Sequence, residues 1–180
     1  MTPATTILLA LAVPLVGAVL IAAAHRAPNV RETVTMITAG LLFLLVVSLT
    51  PLVLAGERPG VTLFEVMPGL ALKFEVEPLG MLFGLIASGL WIVNSLYSIG
   101  YMRGNDEQHQ TRFYVCFAGA LASAIGIAFA GNLLTLFVFY EALTLITYPL
   151  VTHAGTDEAR RGGRVYLGLS DLGESGFEQR

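Results

Sequence analysis

Polar residues in this chain gather between long apolar runs. The runs cover residues 5–24, 33–54, 79–102, 113–130 and 133–151. About 20 mostly apolar residues make a helix long enough to cross the hydrocarbon core of a bilayer, so each run predicts a membrane-spanning helix. The first run has no Lys or Arg ahead of it, unlike a cleaved export signal, and reads as an anchor that stays. The longest polar interval, 55–78, holds "VTLFEV" and "LALKFEV" on either side of "MPG". Strand-like composition around a turn signal predicts a small β-hairpin at 61–76. Glu77-Pro78 then suits the start of the third helix, because an acid and a proline both favour a helix N-terminus. The chain divides accordingly into two helices in 1–60, a hairpin loop in 61–78, helices three to five in 79–152, and a loop with the start of a sixth helix in 153–180.

Composition agrees with lipid as the solvent. Hydrophobic residues make up 55% and charged residues 13%, against about one quarter charged in soluble domains. The fold class is an all-α integral membrane protein of about five helices, placed in the inner or plasma membrane. Arg26, Arg31, Arg103, Arg112, Arg160, Arg161 and Arg164 fall in alternate loops, and only Arg58 and Lys73 fall in the others. Positive residues collect on the cytoplasmic side. The expected orientation has the N-terminus outside, the hairpin periplasmic and the C-terminal tail cytoplasmic. No basic patch suits a nucleic acid. The single Cys116 lies in an apolar run, which excludes a disulfide framework.

Small residues recur every fourth position in two helices: Ala118, Ala122, Gly126 and Ala130 in the fourth, and Gly80, Gly84 and Ser88 in the third. Such stripes let helices approach closely and read as packing seams. Asn94, Ser95 and Tyr97 read as hydrogen-bonding groups between helices.

The fifth run, "NLLTLFVFYEALTLITYPLV", carries one charged residue, Glu141, near its middle. A carboxyl at that depth costs about 2.5–3.5 kcal/mol on insertion scales and is a functional candidate by default. It either keeps its proton or pairs with a cation on a neighbouring helix. A structural hydrogen bond to a nearby helix is the alternative role. Thr144 and Tyr148 follow at i+3 and i+7, so the three share one helix face. Pro149 cannot donate to the carbonyl of Leu145 and distorts the helix there. A protonatable group on a polar track beside a weakened backbone suits proton movement. His25, His109 and His153 all lie in loops, and there is no GxGxxG, P-loop, CxxC or metal-ligand cluster. No cofactor or metal is therefore expected, and a transporter component is a better reading than a catalyst.

The stretch "FVFYEALTLITYPLVTHAGTDEARRGGRVYL" resembles the fifth helix and following loop of the antiporter-like membrane subunits. "FEVEPLGMLFGLIASGLWIVNSLYSIGYM" and "RFYVCFAGALASAIGIAFAGN" resemble the two helices before it. That family includes the large subunits of Mrp-type monovalent cation/proton antiporters and the proton-pumping membrane subunits of complex I and related hydrogenases. The resemblance covers about residues 61–168. It implies that Glu141 is the buried glutamate of a proton relay, paired with a lysine two helices later. It also implies partners: other membrane subunits, protons and a monovalent cation, Na+ or K+. The Tyr-Glu and Thr-Tyr-Pro around the acid are similar to the D-type member of the Mrp set. Family members continue into a second, inverted half. Here "GRVYLGL" resembles the start of the sixth helix and "SDLGESGFEQR" breaks it, so the chain is expected to be an N-terminal fragment. A pump component of an NADH-quinone oxidoreductase or hydrogenase, and a non-transporting membrane fragment, are the alternatives.

Overall fold

The computed structural model describes residues 2–67, 69–104 and 110–151. Five helices and one hairpin follow in chain order: α1 Pro3–Ala23, α2 Pro28–Leu54, β1 Gly60–Met67, β2 Leu70–Glu75, α3 Pro78–Gly104, α4 Gln110–Ala128 and α5 Leu133–Val151. α1, α2 and α3 each begin on a proline, whose missing N–H is one the first turn leaves unpaired anyway. Thr2 caps α1 by accepting from the Thr5 N–H at 3.3 Å. α1 to α4 are long and apolar enough to cross a membrane; the stretch Leu133–Tyr148 of α5 is apolar and shorter.

The helices pack so that α4 touches α1, α3 and α5, while α2 joins α1 to α3. The buried interior includes Ile7, Leu42, Val46, Trp91, Ile125 and Phe129. Outward positions are equally apolar: Val19, Leu44, Leu90 and Val93 are 60–69% exposed. A contiguous apolar exterior of this kind marks a surface that faces lipid or other proteins.

The predicted seams are used. Ala118 and Ala122 are buried, and a Cβ on Gly126 would collide with the Phe139 ring of α5. A Cβ on Gly119 would meet Ile146 at 3.2 Å. In α3, a Cβ on Gly80 would run into the Ala128 carbonyl, and one on Gly84 would lie 3.3 Å from Phe129. Ala130 departs from the expected stripe. α4 stops at Ala128, and Ala130 forms an isolated bridge with Phe74 of the hairpin. Tyr97 departs too: it is 68% exposed and stacks on Tyr101 at 6.0 Å, outside the helix interfaces.

The hairpin forms where strand-like composition around a turn signal predicted it. β1 and β2 pair antiparallel, from Gly60 opposite Glu75 to Met67 opposite Leu70. Gly69 in the turn has φ 82°, a conformation glycine adopts without strain. Phe74 and Val76 are fully buried, so the sheet is seated on the helices. The loop and sixth-helix start expected in 153–180, with Arg160, Arg161 and Arg164, lie outside the described residues.

Candidate functional site

α5 begins at a side-chain cap. The Asn132 Oδ1 accepts from the Thr135 N–H at 2.8 Å and from the Thr135 hydroxyl at 2.7 Å. Asn is among the best N-cap residues because its short side chain satisfies the orphan N–H groups of the first turn. Glu141 lies eight residues past Leu133, about 12 Å along the helix at ~1.5 Å per residue.

Phe139 and Ile146 carry the contact with α4, seated over Gly126 and Gly119. At ~100° per residue, Glu141, Thr144 and Tyr148 project from roughly the opposite side of α5. Glu141 and Tyr148 are half-buried there and Thr144 is buried. The acid-bearing face is therefore turned away from the α4 seam. Thr144 donates its hydroxyl to the Tyr140 carbonyl at 3.1 Å, and Thr147 donates to the Leu143 carbonyl at 2.9 Å. These hydroxyls bond back into their own helix, and their lone pairs stay available as acceptors. Pro149 falls in the last turn of α5; the surroundings of its ring lie outside the described residues.

A second polar cluster sits where α2 and α4 begin. Arg31, placed in the 25–32 loop by the apolar pattern, instead belongs to α2 and is only 4% exposed. The helix starts earlier because Pro28 opens it. Arg31 donates to the Gln110 Oε1 at 2.7 Å and to the Thr111 hydroxyl at 3.1 Å. Its guanidinium lies 5.3 Å from the centre of the Tyr114 ring and 3.7 Å from the Glu32 carboxylate. A signal for this was present: Arg31, Thr35, Thr38, Leu42 and Val46 recur at helical spacing and all are buried.

At the opposite end, the Lys73 ammonium lies 2.6 Å from the Glu75 carboxylate. That hydrogen bond and charge hold the Glu75 carboxyl below its ordinary value. Arg58 and Glu77 form an exposed pair at 3.0 Å. Among the described residues no group of three or more His, Cys, Asp or Glu gathers to hold a metal ion.

Apolar spanning helices around a tight interior define a multi-pass α-helical protein of the cell membrane. No family model matches the chain. In sequence it is 29% identical over 136 residues to a probable K+/H+ antiporter component of the A/B type from Rhizobium meliloti (strain 1021), a match spanning 73% of this chain and 13% of that protein. It is 30% identical over 89 residues to the A-type component of the Na+/H+ antiporter of Alkalihalophilus pseudofirmus, covering 48% of this chain and 11% of that one. In structure it superposes on a chain of the Mrp complex from Dietzia sp. DQ12-45-1b with TM-score 0.79 and 24% identity, over 96% of this chain and 32% of that one. A chain of the archaeal membrane-bound sulfane sulfur reductase gives TM-score 0.78 and 19% identity, over 94% and 34%. The chain is thus similar in sequence to a part of these antiporter components, spanning 13% and 11% of their lengths, and shares its fold with a part of each of the two superposed chains.

Proposed function

We propose that this chain works as part of a monovalent cation/proton antiporter, with Glu141 carrying the proton. The observation that supports this most is the placement of the single acid of α5 on a face turned away from the α4 seam, in a chain whose relatives are named as K+/H+ and Na+/H+ antiporter components. On that face, a lysine of a further helix would trade charge with the carboxyl. Thr144 and Tyr148 would extend the polar track toward the end of α5, where Pro149 leaves the Leu145 carbonyl without its usual partner. The D-type reading rests on Tyr140-Glu141 and Thr147-Tyr148-Pro149, whereas the antiporter relatives above are of the A or A/B type. The arginine end would face the cytoplasm, and the hairpin the outside. Other membrane subunits are the proposed partners.

Glu141→Gln keeps the shape and removes the titrating proton. In everted vesicles from cells carrying the variant at the chromosomal copy, cation-driven collapse of a pH gradient should fall by about 10²-fold or more, the scale of a lost proton-transfer group. Exchange at the normal rate would sink the reading. A proton-pumping role in a respiratory or hydrogenase-type complex is the second reading, favoured by the shared fold with the archaeal complex. Co-purification with iron–sulfur or flavin proteins would support it.

A further inference from the structure

We propose that Asn132 and Thr135 are positioning residues, which set the depth and rotation of Glu141 by tying α5 to strand β2. The inference rests on the role of Glu141 given above and adds the device that aims it.

The edge of β2 away from β1 is occupied by the α4–α5 connection. The Glu75 N–H donates to the Phe129 carbonyl at 2.8 Å, and the Gly131 N–H donates to the Lys73 carbonyl at 2.8 Å. Two side chains continue this pairing into the helix. The Asn132 amide donates its N–H to the Ala71 carbonyl while its oxygen caps α5. The Thr135 hydroxyl donates to that same oxygen and accepts from the Lys73 N–H at 3.0 Å. Thr135 is fully buried, and its hydroxyl is satisfied as both donor and acceptor.

Capping alone does not call for this arrangement. Asp caps a helix as well as Asn does, but an ionised carboxylate only accepts and has no hydrogen to donate to the strand. One turn further on, Phe74 of β2 meets Phe139 edge-on at 5.5 Å, two residues before Glu141. A helix is stiff over the nine residues from Asn132 to Glu141. A slip of one residue at the cap would move the carboxyl about 1.5 Å along the axis and turn it ~100°. Errors of about 1 Å in a reacting group can lower a rate about 10²-fold.

Asn132→Asp isolates the link, because it keeps the cap acceptor and loses the donor to Ala71. In everted vesicles it should lower exchange about tenfold. Thr135→Val should do the same and Thr135→Ser should restore the rate. A readout independent of transport is the thiol-labelling rate of Tyr140→Cys in a Cys116→Ser background, which Asn132→Asp should change at least threefold. Wild-type exchange in Asn132→Asp and Thr135→Val, beside a dead Glu141→Gln, would overturn the positioning role alone. If Glu141→Gln still exchanges, the transport reading fails instead. The labelling rate then decides, and an unchanged rate overturns the link.

Discussion

Where α2 and α4 begin, one guanidinium joins the helices; at the other end, main-chain hydrogen bonds from β2 join the α4–α5 connection. Arg31 reaches Gln110, Thr111 and the Tyr114 ring from a single buried side chain. The hairpin end spreads its hold over two main-chain bonds, the Asn132–Thr135 network and a buried Phe74. A single substitution can therefore remove all of the Arg31 contacts at the first end. At the second end, a side-chain change removes packing or aim while the backbone pairing remains. The acid of α5 is connected to the second end, so aim is built where the redundancy lies.

Three measurements break or sharpen that contrast. Phe74→Ala has the largest expected effect, about 3–5 kcal/mol for an emptied aromatic site. It should raise proteolysis of the hairpin in detergent-solubilised protein while leaving the arginine end intact. Arg31→Met should cost about 1–3 kcal/mol, because the part-buried hydrogen bonds from the guanidinium to Gln110 and Thr111 are lost. The single tryptophan, Trp91, is buried in the bundle, and its fluorescence reports the fall in thermal midpoint. Hairpin proteolysis that rises as much in Arg31→Met as in Phe74→Ala would show that the two ends act as one unit. The smallest effect belongs to the Lys73–Glu75 pair. Because the Glu75 carboxyl is held below its ordinary value, its contribution is complete above the unfolded-state value of about 4.3. It is lost as pH falls through the lowered folded-state value. Lys73 is 44% exposed, so the change should stay under about 1 kcal/mol. Hairpin proteolysis compared at pH 7 and pH 3, in wild type and Glu75→Gln, checks it; an equal acid response in both would remove the pair from the account.

Much of the fold was legible because its cause is local. Long apolar runs specify spanning helices whatever their neighbours, and "MPG" between stretches of strand-like composition specifies a hairpin. The stripe Ala118, Ala122, Gly126 announced a close approach, and the Phe139 ring fills it. Reading Arg31 as a loop residue failed because charge marks a membrane boundary only on average. Pro28 carries α2 past that boundary, and neutral acceptors on α4 allow the guanidinium to be buried.

By itself the sequence determined the solvent of this protein, the order of the five helices among the described residues, the hairpin between the second and third, and the position of one acid within the fifth. These follow from hydrophobicity, turn chemistry and helical period, which act over a few residues. Only the tertiary structure decided that β2 pairs with the segment after α4, that Asn132 and Thr135 fasten α5 to it, and that the Glu141 face is turned from the α4 seam. Main-chain pairing between Glu75 and Phe129 and between Lys73 and Gly131, far apart in the chain, leaves no periodic mark in either segment. Which face of an all-apolar helix meets its neighbour is settled by fit, through Phe139 over Gly126 and Ile146 over Gly119.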